Sequence, residues 1–296
     1  MTSETTAEME RPAAAQRRVA AGVKTILLHI LNDNTLDQRL EAALSLARAC
    51  EAHLSCLHIT PIEAYVAFDS FGGVFVMSDV MKALDEEEQR LREKVEQRLR
   101  IEDVSWDYMQ VTGNVPGQII RHAALADLVV TGREPHRSDS VGPTIGLLGD
   151  LLHRSRTPLF VPGDGAPTDP TGGAIIAWDG SYEASNAVRA GVPLLKLASE
   201  VRVIQLRESE KDEAFPSTEL VQYLSRHDIH AELQIEPLSG AKGDGIAGDL
   251  VAHARAAGAT SIIMGGYNHS RIGEYLFGGV TRTLLAACPV ALLITH

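Results

Sequence analysis

Only three cysteines, Cys50, Cys56 and Cys288, occur in the 296 residues, and no two of them form a CxxC pair. An odd count without paired spacing excludes a disulfide framework and a zinc ribbon, and reads as three small reduced hydrophobes. Aromatic residues are scarce too, at 5%, so any core must be built from Ala, Val, Leu and Ile. No apolar run approaches the roughly 20 residues that span a bilayer. Residues 1–22 show no hydrophobic stretch after a basic start and read as a flexible tail rather than a secretory leader. Basic charge is in deficit, 27 Lys and Arg against 39 Asp and Glu, for a net charge of −12. Such a surface repels phosphate backbones and anionic lipid, so neither nucleic acid nor membrane is an expected partner, and the cytoplasm is the expected location.

Catalytic patterns are missing as well. The sequence contains no GxxxxGK[ST] and no GxSxG, which argues against a Walker-type NTPase and a nucleophile-elbow hydrolase. His227 and His230 straddle a helix end and a strand start, and no HExxH accompanies them, so no metal site is expected. No paired carboxylates occupy matching loops for acid–base work, and no catalytic residue is assigned. The run Gly243-Asp-Gly245-Ile-Ala-Gly248 spells GxGxxG between a strand and a helix. It follows the third strand of its repeat, however, and the chain carries NHSR rather than an acidic residue about twenty positions on, which weakens a dinucleotide reading.

What is present is a soluble, globular composition, 45% hydrophobic and 22% charged, in a chain about twice the usual domain size. Short apolar runs alternate with helix-period segments. KTILLHIL (24–31), LSCLHI (54–59), WDYMQV (106–111), LADLVVTG (125–132) and TPLFV (157–161) read as strands, with a charged helix from about Met81 to Arg100 whose DEEEQR run faces water. The crowded Pro, Gly and small polar residues of 162–173 form a linker. The same order of elements then starts again, and LADLVVTGREP aligns with GATSIIMGGYN, placing Gly132 against Gly265. The expected architecture is α/β: a tail at 1–23, then two tandem, doubly wound, mostly parallel five-stranded sheets at 24–161 and 174–296. Ligands in such folds sit beyond the C-terminal ends of the strands. The apolar terminal strands TPLFV and PVALLIT would otherwise leave sheet edges open. They are expected to satisfy each other as an intramolecular pseudo-dimer, with pairing of whole chains as a further option.

The richest candidate site lies in the second copy. A strand ends at Gly265, a polar loop follows, and Gly278 and Gly279 open a helix whose N–H groups suit an anion. Asp179, in WDGS, ends the first strand of that copy, where a carboxylate can accept bonds from sugar hydroxyls. The plainer reading makes Asp179-Gly180-Ser181 a turn and cap, with glycines that only allow close packing.

This arrangement resembles the universal stress protein (UspA-type) family over both halves. The family has an adenine nucleotide alpha hydrolase-like fold, and its nucleotide-binding members carry G-x2-G-x9-G-(S/T) after the fourth strand. The resemblance puts Asp179, preceded by Ala177 and Trp178, at the ribose position, Gly265 beside Met264 at the first glycine, and Gly278 at the third. Leu206 and Val280 fall where the family flanks adenine. Asn268 replaces the second glycine and Gly279 the hydroxyl residue, with Thr281 two positions on as a substitute; His269 and Arg271 could neutralise phosphate charge. The resemblance implies a non-catalytic stress-response protein whose second domain binds ATP or another adenine nucleotide weakly, with magnesium, and whose bound state a protein partner senses, with slow ATP hydrolysis as the most enzymatic outcome. In the first copy Leu31 stands at the Asp position, and Pro135, Ile145 and Gly146 replace the remaining motif residues. That site reads as degenerate, its domain as structural. The alternative is an interaction or scaffold protein in which both nucleotide sites have decayed.

Overall fold

The computed structural model describes residues 22–62, 74–133, 146–164, 167–207, 216–237, 244–266 and 279–296. These form ten strands and eight helices. The first half contains β1 (Thr25–Ile30), α1 (Leu36–Cys50), β2 (His53–Pro61), α2 (Val74–Leu99), β3 (Trp106–Gly113), α3 (Val115–Ala123), β4 (Leu128–Val130), α4 (Leu147–Arg154) and β5 (Leu159–Val161). The second contains β6 (Gly173–Ala177), α5 (Tyr182–Leu195), β7 (Val201–Arg207), α6 (Ser217–Arg226), β8 (Ala231–Pro237), α7 (Asp244–Ala256), β9 (Ala259–Gly265), α8 (Gly279–Ala286) and β10 (Ala291–Thr295).

The strands lie in one continuous sheet in the order β3-β2-β1-β4-β5-β10-β9-β6-β7-β8. The two expected five-stranded sheets are its halves, each parallel throughout. They join where β5 and β10 run antiparallel, Phe160 opposite Leu293. That pairing removes two apolar sheet edges at once. It also sets the halves head to tail, so their C-terminal strand ends point to opposite ends of the sheet.

Because strand side chains alternate, the sheet builds two cores. One lies under α1, α2, α5 and α6 and includes Leu28, Leu44, Val95, Ile176, Val188 and Leu224. The other lies under α3, α4, α7 and α8 and includes Leu27, Ile119, Leu151, Ile262, Leu284 and Leu292. Helices cover both faces of each parallel half, as buried parallel strands require. The charged helix differs from expectation in two ways. It starts at Val74 rather than near Met81, and Glu88 within DEEEQR is 8% exposed instead of solvated. Its carboxylate accepts hydrogen bonds from the Thr60 hydroxyl and from Gln110 Nε2 (2.7 Å). Polar partners on β2 and β3 make burial of that carboxylate tolerable.

Residues 162–164 of the expected linker are packed rather than a free tether. A β-carbon on Gly163 would come within 2.5 Å of the Pro289 carbonyl oxygen, and the Asp164 N–H donates to the Cys288 carbonyl (2.9 Å). β6 begins at Gly173, the last residue of the stretch.

Candidate functional site

The second half reads β10-β9-β6-β7-β8, so the chain leaves central β6 toward β7 on one side and returns through β9 on the other. That reversal puts a topological switch point at the C-terminal ends of β6 and β9, the position where open α/β sheets take ligands. Ala177 pairs in register with Met264, so Asp179 and Gly265, 86 positions apart in sequence, leave the sheet at the same end.

Alternation sorts the candidate residues by face. Ala177, Leu206, Met264 and Val280 all join the core under α7 and α8, Met264 buried and the other three partly so. Trp178 is buried on the opposite face, 5% exposed, among residues of α5 and α6. Gly279 is the first residue of α8. Thr281 lies on the buried stripe of that helix with Leu284 and Leu285, its side chain toward the sheet. Asn268, His269, Arg271 and Gly278 lie outside the described residues.

Asp179 is exposed and already has local work. Its Oδ1 accepts from the Ser181 N–H (3.0 Å) and the Ser181 hydroxyl (2.6 Å). Ser181 in turn caps α5, its Oγ accepting from the Ala184 N–H at 3.1 Å. Gly180 between them has φ of 73°, a left-handed backbone suited to glycine. Gly265 is held by that same helix start, since a β-carbon there would lie 2.5 Å from the Ala184 nitrogen. The turn, the cap and the strand-end glycine form one packed unit.

The first half is closed differently. Arg39, on α1, is 1% exposed and lies over Gly132, where a β-carbon would collide with its Nη1. Nη1 also meets Asp33 (2.9 and 3.0 Å) and the Thr35 hydroxyl (2.5 Å), while Nη2 donates to the Leu31 carbonyl at 2.7 Å. Burial pushes the Asp33 carboxyl upward, but the Arg39 charge and hydrogen bonds from Thr35 and Arg39 outweigh it and hold the pKa below the usual value. His29 and Thr131 stand at the positions of Ala177 and Met264, their Nδ1 and Oγ1 3.4 Å apart. Burial, then the Arg39 charge, lower the His29 pKa to about 4. The sequence carried a signal for this plug: Arg39 follows Leu36 by three positions and precedes Ala43 by four, squarely on the apolar stripe of α1.

Other candidates fall away from the crevice. Gly245 and Gly248 lie in α7, which follows edge strand β8 rather than the central strand, and a β-carbon on Gly248 would meet open space. At Gly248 the close backbone approach of that motif has no counterpart, and Gly243 lies outside the described residues. Among the described residues no group of three or more His, Cys, Asp or Glu could hold a metal ion, and no helix is long and apolar enough to cross a membrane. A crevice of about 20 Å³ opens beside Thr168, Ala174, Thr260 and Ala291, at the opposite strand ends, and has room for a single water molecule.

No protein-family model and no curated protein matches the sequence. Solved structures do. A universal stress protein from Archaeoglobus fulgidus DSM 4304 superposes with a TM-score of 0.68 at 14% identity, covering 92% of this chain and 97% of that one. A provisional universal stress protein from Pseudomonas aeruginosa UCBPP-PA14 gives 0.54 at 17% identity, covering 93% of each chain. A protein of unknown function from Pseudomonas aeruginosa PAO1 gives 0.56 at 17% identity, covering 93% and 92%. The chain has the universal stress protein fold, with two five-stranded units joined through β5 and β10 in one polypeptide.

Proposed function

We propose that the chain acts as a tandem universal stress protein, with units at 24–161 and 174–296, whose second unit binds an adenine nucleotide weakly while the first is structural. The observation that supports this reading is the register of β6 with β9, which pairs Ala177 with Met264 and so brings Asp179 and Gly265 out at the same end of the sheet, with Leu206 and Val280 in the same apolar core as Ala177 and Met264. Asp179 would accept from ribose hydroxyls, the apolar set would flank adenine, and the N-terminus of α8 at Gly279 would face phosphate. The Arg39–Asp33 plug supports a structural first unit, since a buried guanidinium paired with Asp33 fills the space over Gly132. Acid extraction and chromatography of the purified chain, followed by calorimetric titration with millimolar magnesium–ATP, test the proposal. Retained nucleotide, or saturable binding that Asp179→Ala weakens, supports it; the absence of both refutes it.

A second reading has its own observation. Asp179 is the turn acceptor for Ser181, and Gly265 is required by the start of α5. Both motif residues therefore have structural work that needs no ligand. An interaction protein with two decayed sites would show an empty crevice and no response to ATP.

A further inference from the structure

The antiparallel seam carries a second arginine in an unusual state. Arg133 follows Gly132 beyond the end of β4, and its side chain is 8% exposed. Its Nη1 donates to the Cys288 carbonyl at 3.0 Å and pairs with Asp164 Oδ1 at 2.5 Å. Those partners lie where residues 163–164 pack against the approach to β10, so one edge of the guanidinium is fixed to the second half of the chain. The other edge is idle: Nε and Nη2 are both buried, and neither has a hydrogen-bond partner among the described residues. Nε–H and Nη2–H point the same way and form the fork that grips two oxygens of a carboxylate or phosphate. A buried cation with two unused donors is unfavourable unless something fills them. Asp164 is engaged at Nη1, on the other edge.

We propose that the Nε–Nη2 fork of Arg133 receives a small oxyanion, a phosphate or a carboxylate, at the seam between the two halves. This site is separate from the nucleotide crevice, because β4 and β5 end at the opposite end of the sheet from β6 and β9. A bound anion would brace the junction, since the same guanidinium holds the carbonyl of Cys288 from the second half. Binding only to the folded chain raises its apparent stability by mass action.

Calorimetric titration of the full chain with inorganic phosphate, and separately with acetate, at constant ionic strength against chloride, tests the assignment. Saturable one-to-one binding of either anion is expected, with preference for phosphate or for acetate identifying the class. Arg133→Lys keeps the charge but loses the fork, and should weaken binding about tenfold. Where Arg133→Lys misfolds, the titration of the parent chain alone decides the point. No binding of either anion beyond chloride, or undiminished binding by a folded Arg133→Lys, would overturn the proposal.

Discussion

Two substitutions of Asp179 separate its structural work from its proposed work on a ligand. Oδ1 takes two donors from Ser181, and Ser181 caps α5. Asp179→Ala removes both bonds and loosens the cap, at a cost of about 1–2 kcal/mol. For a chain of this size that lowers the melting temperature by about 2–6 °C. Asp179→Asn retains an amide oxygen for both donors, so its stability should stay within about 0.5 kcal/mol of the parent. The ligand reading predicts a different ranking. Hydrogen bonds to a charged acceptor contribute about 1.5–3 kcal/mol and neutral ones about 0.5–1.5. Losing the charge should therefore raise the Kd for ATP about tenfold, and losing the side chain about a hundredfold. Thermal melting and calorimetric titration on the three proteins provide both rankings. If Asn and the parent bind ATP equally while Ala only melts earlier, the carboxylate is a cap and never meets a sugar, and the reasoning fails.

Further outcomes follow from the buried groups. His29, with an ordinary pKa of 6.5 lowered to about 4 in the fold, stays neutral where the unfolded chain is protonated. Stability is full above about pH 6.5 and falls by about 3 kcal/mol as pH drops toward 4; His29→Gln should flatten this part of a urea-denaturation pH profile, and an unchanged slope would refute the burial argument. Gly265→Ala should destabilise more than Gly132→Ala, because the new β-carbon meets the α5 backbone in the first case and an arginine side chain in the second. Either change costs about 1–3 kcal/mol of strain, and denaturant titration giving the reverse order would contradict the packing described. Burial pushes the thiol of Cys50 up to about 11 and that of Cys56 to about 12, so neither should react with a thiol reagent at pH 8 until the chain unfolds. Rapid labelling of either in the native protein would show that the core opens.

Much of the architecture was written in hydrophobic period. Strands such as Leu54–Ile59 and Val201–Leu206, and the duplication aligning Gly132 with Gly265, are visible because buried parallel strands demand continuous apolar runs. Local pattern also marked Asp179-Gly180-Ser181 as both a turn and a ligand candidate, and the structure gives the turn its hydrogen bonds. Other features depended on contacts far apart in the chain. Glu88 is one of six polar residues in a row, and nothing local distinguishes it from its solvated neighbours; β2 and β3 do so by presenting Thr60 and Gln110. Arg39 lies on the apolar stripe of α1, but its place over Gly132, like the docking of Arg133 on Asp164 and the Cys288 carbonyl, exists only once the chain has folded. The same holds for the junction. Apolar TPLFV and PVALLIT announced edges in need of partners, but only tertiary pairing made them partners of each other, running antiparallel and sending the two clefts to opposite ends of a single sheet. Periodicity is a property of neighbours in sequence and so survives in the one-dimensional chain. The fate of a buried charge depends on which distant groups surround it, and that is decided only when the chain has closed on itself.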